Sequence, residues 1–526
     1  MRYRWDDLNR RFDHEIICPF PSCGAVLGTI NKFQHLPENH VLDICKSCGR
    51  PFEWMQMNRN GVSIPWPRKA NARFCSFSGR RLQHASPLDW LEHGGNSTKS
   101  SSQVDKHGYL FGLPTKKENF ELQLKWQSKL LLDSQFEVSQ IVSINIVNGL
   151  LIVCTEQGTL IQVDRNASEE IHSFPWPNGV SKNETIRFCP AIRGTHAMLV
   201  KSSEAILWDL AMYSKEKRVE KKSLLPRDGC LFMGPPLAIS APHPLFVLWQ
   251  TKFIRKALVQ SYLSIYDAKG EILCEIEADQ SAAPPVYNPD TQELIWVNTI
   301  GSVFCVSLAD ILNKMPKVKE YRWEAPFVWG VEESPRLVLA SNSLGQNEIW
   351  MASHRYTVKR LKEVILFRSL LPNTKTPLRW KEEDYGQLGN EIRSISIGAS
   401  SHYPNTREFG EMVAISTEKG VYLSLKNPLG EPPKLICSTL TAGEIGTRSN
   451  TPPIICGAGV LVRLAQKIVL HWEPLNWGSK AFGAFTEHFI DGSPRYQSAL
   501  ALSGREVFVA NDGKVYAYEI VKTGGL

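Results

Sequence analysis

The sequence predicts a mainly β protein in which a small four-cysteine zinc-binding domain precedes an eight-bladed β-propeller, with seven blades as the alternative. Three observations carry that reading. Two close cysteine pairs stand near the start of the chain, a Gly/Ser-rich stretch follows, and short apolar runs around glycine turns then recur at roughly 45-residue spacing. At 526 residues the chain exceeds one ordinary core, so several domains or a repeat architecture must absorb it. Hydrophobic residues at 43% and charged residues at 21% are ordinary for a globular protein and argue against disorder.

The opening segment carries Arg2, Arg4, Asp6, Asp7, Arg10 and Arg11 and no apolar run of signal-peptide length. No stretch reaches the roughly 18 uncharged apolar residues of a spanning helix. The expectation is a cytoplasmic protein without membrane contact. Seven of the twelve cysteines (Cys154, Cys189, Cys230, Cys274, Cys305, Cys437, Cys456) are scattered singly among apolar residues, as buried free thiols are.

The other five crowd into the first 75 residues. Cys18 and Cys23 form one pair, Cys45 and Cys48 the other, each followed directly by glycine. Four thiolates make the tetrahedral sulfur set of a closed structural Zn2+ site, and the glycines allow the backbone to turn back towards the metal. Pro19 and Pro21 stiffen the wider first loop. Residues 15 to 55 resemble a zinc ribbon, which implies a structural metal with no open position for a catalytic water. Cys75-Ser-Phe-Ser-Gly79 is similar to the opening of a treble-clef-like zinc-binding ribosomal protein, but its matching downstream cysteines are absent.

The net charge of +7 is uneven, since residues 1 to 100 hold 14 Lys and Arg against 9 Asp and Glu. Arg68, Lys69, Arg73, Arg80 and Arg81 are interleaved with Trp54, Trp66, Phe74 and Phe77. Cations with exposed aromatics suit a single nucleic-acid strand, because phosphates take charge and bases take flat faces. Alternatively, a small domain uses the same aromatics for its own core. Both readings stay open on the sequence.

Residues 94–116, opening Gly94-Gly95-Asn96-Ser97-Thr98, read as a flexible linker between a domain at 1–93 and a propeller at 117–526. Beyond it, Leu150 to Asp164 gives the unit: an apolar strand, a turn at Gln157-Gly158, and a second strand. Copies recur around Gly301, Gly345, Gly420 and Asp512-Gly513, with weaker ones at 197–209, 245–267 and 460–472. Glycine is needed where hairpin turns place a residue at positive φ. Second strands marked by Val163, Trp208, Tyr266, Val306, Trp350, Leu423, His471 and Tyr518 give eight copies. Segments 210–230 and 355–395 break the period and read as long inserted loops. Phe120 to Trp126 is expected to supply the outer strand of the final blade.

The last copy, Val507 to Glu519 around Asp512-Gly513 with Gly524 or Gly525 beyond, resembles the repeat of the PQQ-like propeller superfamily. The resemblance extends over 120–526 and concerns the fold. It does not bring the quinone with it, since the dehydrogenases of that superfamily commonly carry adjacent cysteines and this chain has no Cys-Cys pair. The architecture is also similar to propeller components that accompany MoxR-type ATPases and von Willebrand-type domains in bacterial multi-protein systems. No Gly-x-Ser-x-Gly, phosphate-loop or His-Glu-x-x-His motif is present. The expected function is therefore a non-enzymatic scaffold binding protein partners. A nucleic-acid factor using residues 50–84 and an enzyme with its site in the propeller channel are the alternatives.

Overall fold

The computed structural model describes residues 15–17, 26–29, 42–44, 51–59 and 62–69. It also describes 119–523 apart from the connections 130, 132–139, 148–149, 165–169, 177–185, 187, 211–219, 240–243, 255–256, 282, 289–290, 323–335, 342–346, 357–361, 373–377, 380, 384–391, 401–409, 418–420, 427–433, 438–451, 457–458, 464–466, 473–483, 490–499, 504 and 512. The proposed linker 94–116 lies outside the described residues.

Near the start, Glu15–Ile17 pairs antiparallel with Val26–Thr29, and Leu42–Ile44, Pro51–Arg59 and Val62–Lys69 form a second small sheet. From 119 onward the described strands fall into eight antiparallel sheets that follow one another along the chain. Sheet 1 comprises Ile141–Val147, Leu150–Thr155, Leu160–Val163 and Glu170–Phe174. Sheet 2 begins with Ala191–Arg193 and ends with Glu220–Leu224. In sheet 3 the first position is split, since Cys230–Phe232 and Leu237–Ile239 both pair with Leu245–Ile254. Sheets 4 to 7 begin at Val286–Asn288, Arg336–Ser341, Ile392–Ser400 and Ile454–Cys456.

In sheet 2 the second and third strands are apolar on both faces because the sheet is covered on both sides. In His196–Lys201 and Glu204–Asp209 the four central residues are all buried. The fourth strand of sheet 3, Ile272–Glu277, alternates between buried and exposed because it has solvent on one side. Core clusters accordingly lie between neighbouring sheets. One joins sheets 1 and 2, and others join 2 to 3, 3 to 4, and 4 to 5. First strands touch from sheet 3 onward to sheet 7, and Ser396 donates to the Pro453 carbonyl between sheets 6 and 7. This succession of sheets laid face to face is that of a β-propeller.

The largest cluster brings the two ends of the run together, uniting Ile144 and Val153 of sheet 1 with Leu461 of sheet 7 and Val507 to Ile520 of sheet 8. Sheet 8 takes its fourth strand from the other end of the sequence. Asn119–Gln127 pairs with Lys514–Thr523, as expected for the segment Phe120 to Trp126. Leu122 is buried there, Trp126 packs 6.1 Å from the Phe508 ring, and Lys125 bridges to Glu519. Ser128 exchanges hydrogen bonds with both backbone groups of Val515.

The repeat reading needs two corrections. Seven of the eight marked hairpins are second and third strands, but Trp350 lies on the second strand of sheet 5, whose third is Lys362–Leu370. The segments read as inserted loops also supply strands. Residues 210–230 contain Glu220–Leu224, and 355–395 contains Lys362–Leu370 and Lys381–Glu383. Charged outer strands look like solvated loops because one face and one edge meet water. The expected positive φ is found at Gly158 (78°), Gly301 (87°) and Gly513 (71°), while Gly345 and Gly420 lie outside the described residues. At Gly158 a Cβ would also lie 2.7 Å from the Trp176 ring.

Deleting residues 117–128 is expected to abolish the cooperative thermal transition or lower its midpoint sharply, and Leu122→Ala should cost about 2–5 kcal/mol as a buried large-to-small change. Calorimetry of both variants checks this; a deletion that melts like the full chain contradicts it.

Candidate functional site

The four predicted zinc ligands, Cys18, Cys23, Cys45 and Cys48, lie outside the described residues, but their flanks are described. Cys18 follows Glu15–Ile17 and Cys23 precedes its antiparallel partner Val26–Thr29; Cys45 follows Leu42–Ile44 and Cys48 precedes its partner Pro51–Arg59. Each cysteine pair thus occupies the connection between two paired strands. A metal knuckle needs that placement, and the donor set fits Zn2+. Glu15–Ile17 also contacts Val62–Lys69, which brings the two small sheets together.

Of the residues considered for nucleic-acid contact, Trp54 is 4% exposed. Its ring belongs to the interior of the small domain and offers no face to a base, which corrects that expectation. Along the hairpin Met55 pairs with Trp66, Glu53 with Arg68 and Phe52 with Lys69. Arg73, Arg80 and Arg81 lie outside the described residues.

Within the large domain the charged and polar groups mostly join strands or sheets. Glu348, 5% exposed, accepts from the Trp350 indole at 3.2 Å and meets Arg368 at 3.4 Å, and that guanidinium lies 5.3 Å from the Trp350 ring centroid. A buried carboxylate needs such partners, because one stripped of them would carry the full cost of desolvation. Arg463 donates to Asn511 at 3.2 Å across sheets 7 and 8, and Asn145 to the Pro190 carbonyl at 3.1 Å across sheets 1 and 2.

The group closest to a catalytic constellation is one that no sequence motif signals. Thr195 Oγ1 lies 3.2 Å from His196 Nδ1, and His196 Nε2 lies 3.8 Å from Asp209 Oδ2. Asp209 is too distant to hydrogen-bond and orient the ring. Burial lowers the His196 pKa, while Asp209 and Asp267 pull it upward less strongly. Asp267 itself accepts from the amides of Lys269 and Glu271, closing its own turn. The arrangement places a half-buried imidazole at a turn, beside Thr195 and too far from Asp209 to be oriented as a base.

Cys154, Cys230, Cys274 and Cys305 are buried free thiols and Cys189 is half-buried. Burial pushes Cys274 up to about 11 and, with Glu293 nearby, Cys305 up to about 12. Burial, with Cys189 adding to it, raises Cys154 further still. These thiols are packing residues rather than nucleophiles. Among the described residues no group of three or more His, Cys, Asp and Glu could hold a metal ion.

No family model and no curated protein matches the chain. Among solved structures, a quinohemoprotein alcohol dehydrogenase, ADHIIG, from Pseudomonas putida HK5 is 10% identical and matches with a TM-score of 0.50, covering 84% of this chain and 81% of that one. The quinohemoprotein alcohol dehydrogenase of Comamonas testosteroni is also 10% identical, with 86% and 82% covered and a TM-score of 0.49. BamB from Moraxella catarrhalis is 12% identical, with 76% and 97% covered and a TM-score of 0.43. The likeness at a TM-score of 0.50 supports a PQQ-like propeller fold and extends to the fold alone.

Two outcomes follow. Cys154, Cys274 and Cys305 should resist iodoacetamide in the native protein and react once it is unfolded; mass mapping that finds them alkylated under native conditions contradicts their burial. For His196 the folded-state pKa lies below the unfolded value of 6.5. Stability is therefore complete above the unfolded value and is lost as pH falls through it, because the unfolded chain binds the proton first. His196→Gln should narrow the loss of melting temperature between about pH 7.5 and 5.5 relative to the parent; an equal or larger loss contradicts this.

Proposed function

We propose that this chain is a non-enzymatic scaffold of the cytoplasm, an eight-bladed propeller that docks a protein partner within a multi-protein complex. Each of the eight sheets is a blade, and Asn119–Gln127 seals the ring. A zinc-ribbon-like domain at 1–93, joined through the linker 94–116, provides a second contact.

The observation that carries the reading is a group of exposed apolar side chains at one end of adjoining sheets. Leu225, Leu231, Ile254 and Ile300 are all exposed at the end of sheets 2 to 4 where second and third strands turn, Leu225 at 71%. Apolar side chains gathered in this way are what a protein interface covers. The free thiols fit a reducing compartment, and among the described residues no helix is long and apolar enough to cross a membrane. The nucleic-acid alternative loses the Trp54 stack. Among the described residues the channel-enzyme alternative has the Thr195, His196 and Asp209 group in its favour.

Cys18, Cys23, Cys45 and Cys48 would hold Zn2+ as a closed structural cross-link. Elemental analysis should find about one zinc per chain, lost in Cys45→Ser/Cys48→Ser, as expected of a four-thiolate site. Zinc retained in that variant, or none in the parent, overturns the assignment. For the scaffold, crosslinking of the tagged full-length chain in its native cells should give one stoichiometric protein partner, depleted by Leu225→Asp/Ile254→Asp. A chain that recovers no partner and turns over a small-molecule substrate instead contradicts the proposal.

A further inference from the structure

Sheet 4 joins its third strand to its fourth, Lys319–Tyr321, through a short helix, Leu308–Leu312, at the end of the sheets opposite the group at Leu225 and Ile254. Ser307 caps the helix, its hydroxyl accepting from the Asp310 amide at 3.1 Å and donating to the Asp310 carboxylate at 2.8 Å. Leu308 and Ile311 share one face by their spacing and are buried with Cys274 and Ile276 of sheet 3. Leu312 lies at the margin of that face and stays 42% exposed.

The turn that ends the helix is unusual in what it displays. The Met315 amide donates to the Asp310 carbonyl at 3.1 Å and the Lys314 amide to the Ile311 carbonyl at 3.0 Å, with Lys314 at a φ of 57°. This pair of hydrogen bonds commonly closes a helix around a left-handed residue, which is usually glycine. Here a lysine holds that position although a side chain is strained there. The next residue ordinarily packs back on an apolar side chain of the last turn. Ala309 and Asp310 offer Met315 no large one, and it is 72% exposed. The turn thus fixes a cation and a large apolar side chain side by side at the surface.

Val318, 41% exposed, comes two residues before Glu320, which pairs with Phe304 on the face of sheet 4 that looks towards sheet 3. Leu312, Met315 and Val318 therefore stand three residues apart, and the exposed Lys314 and Lys317 each precede one of them. The carboxylates nearby are engaged elsewhere: Asp310 with Ser307, Glu293 with Lys319 at 3.7 Å, and Glu320 with Arg322 at 3.1 Å. Among the described residues no carboxylate pairs with Lys314 or Lys317. Apolar side chains interleaved with such cations match a peptide that alternates carboxylates with apolar residues. A bilayer fits less well, since Leu312 and Val318 are half sunk among their neighbours and three side chains give little area to insert. We infer that the surface from Leu312 to Val318 docks an acidic amphipathic segment of a partner protein. It is separate from the group at Leu225 and Ile254, so it goes beyond the scaffold reading and does not depend on the docking assigned there.

The test uses the full-length chain and a fluorescein-labelled synthetic peptide of repeating Glu-Glu-Leu units. Its Gln-Gln-Leu counterpart and vesicles of equal parts phosphatidylserine and phosphatidylcholine serve as comparison ligands, and fluorescence anisotropy gives the affinities. The acidic peptide should bind, weaken as salt screens the lysines, and lose about tenfold in affinity in Lys314→Glu/Lys317→Glu and in Met315→Asp. Lys314→Gly should also bind more weakly while melting no lower than the parent, because glycine takes the left-handed turn without strain. A lysine kept for the fold alone would leave binding unchanged in that variant. Leu225→Asp/Ile254→Asp should bind the peptide as the parent does. No binding of the acidic peptide, equal binding of the Gln peptide, or parental affinity in the Lys314 and Met315 variants overturns the site. An equal loss in Leu225→Asp/Ile254→Asp places the peptide on the other surface and overturns it too. Vesicles that bind the chain and displace the peptide overturn it in favour of a lipid surface.

Discussion

The pairing of Asn119–Gln127 with Lys514–Thr523 is the constraint on which the rest of the large domain depends. A run of sheets stacked face to face has an exposed face at its beginning and another at its end, and each would be a broad apolar surface. Burying these two faces against one another, in the cluster that joins sheet 1 to sheets 7 and 8, removes both. That cluster cannot form unless distant parts of the chain meet. The strand from residue 119 holds them there by a ladder, a buried Leu122 and the Ser128 contacts to Val515. Its position also leaves the last sheet without an unpaired edge at Lys514–Thr523, where an apolar strand would otherwise invite association.

The interior is filled by apolar residues from adjoining sheets, and buried polar groups such as Glu348, Arg463 and Asn145 serve as ties between strands or sheets. What varies from sheet to sheet is the length of the hairpins: second and third strands pair over nine positions in sheets 3 and 5 and over five in sheet 4.

Much of this was legible in the residues. Continuous runs such as Leu150 to Cys154 indicate strands covered on both faces, and Gly158 and Gly301 mark turns that need positive φ. The pairing of Phe120 to Trp126 with the last hairpin followed from the need to protect an edge. The frame slipped at Trp350 because sheet 5 joins its first and second strands through a connection containing Gly345, the signal that elsewhere marks the second and third. Outer strands such as Glu220–Leu224 were hidden by their charge, and the split first strand of sheet 3 left no signal at all. Trp54 shows the same limit for the small domain, since an aromatic among cations reads alike whether its ring faces inward or outward.

Amide hydrogen exchange on the intact protein tests the central claim most directly, because it reads the closing ladder without altering it. The account predicts that the amides of 119–127 exchange together with those of 514–523, in the slowest class and at the rate of global unfolding. Rapid exchange of 119–127 while 514–523 stays protected would show that the two ends of the run are not joined, and the account of the large domain would fall with that pairing.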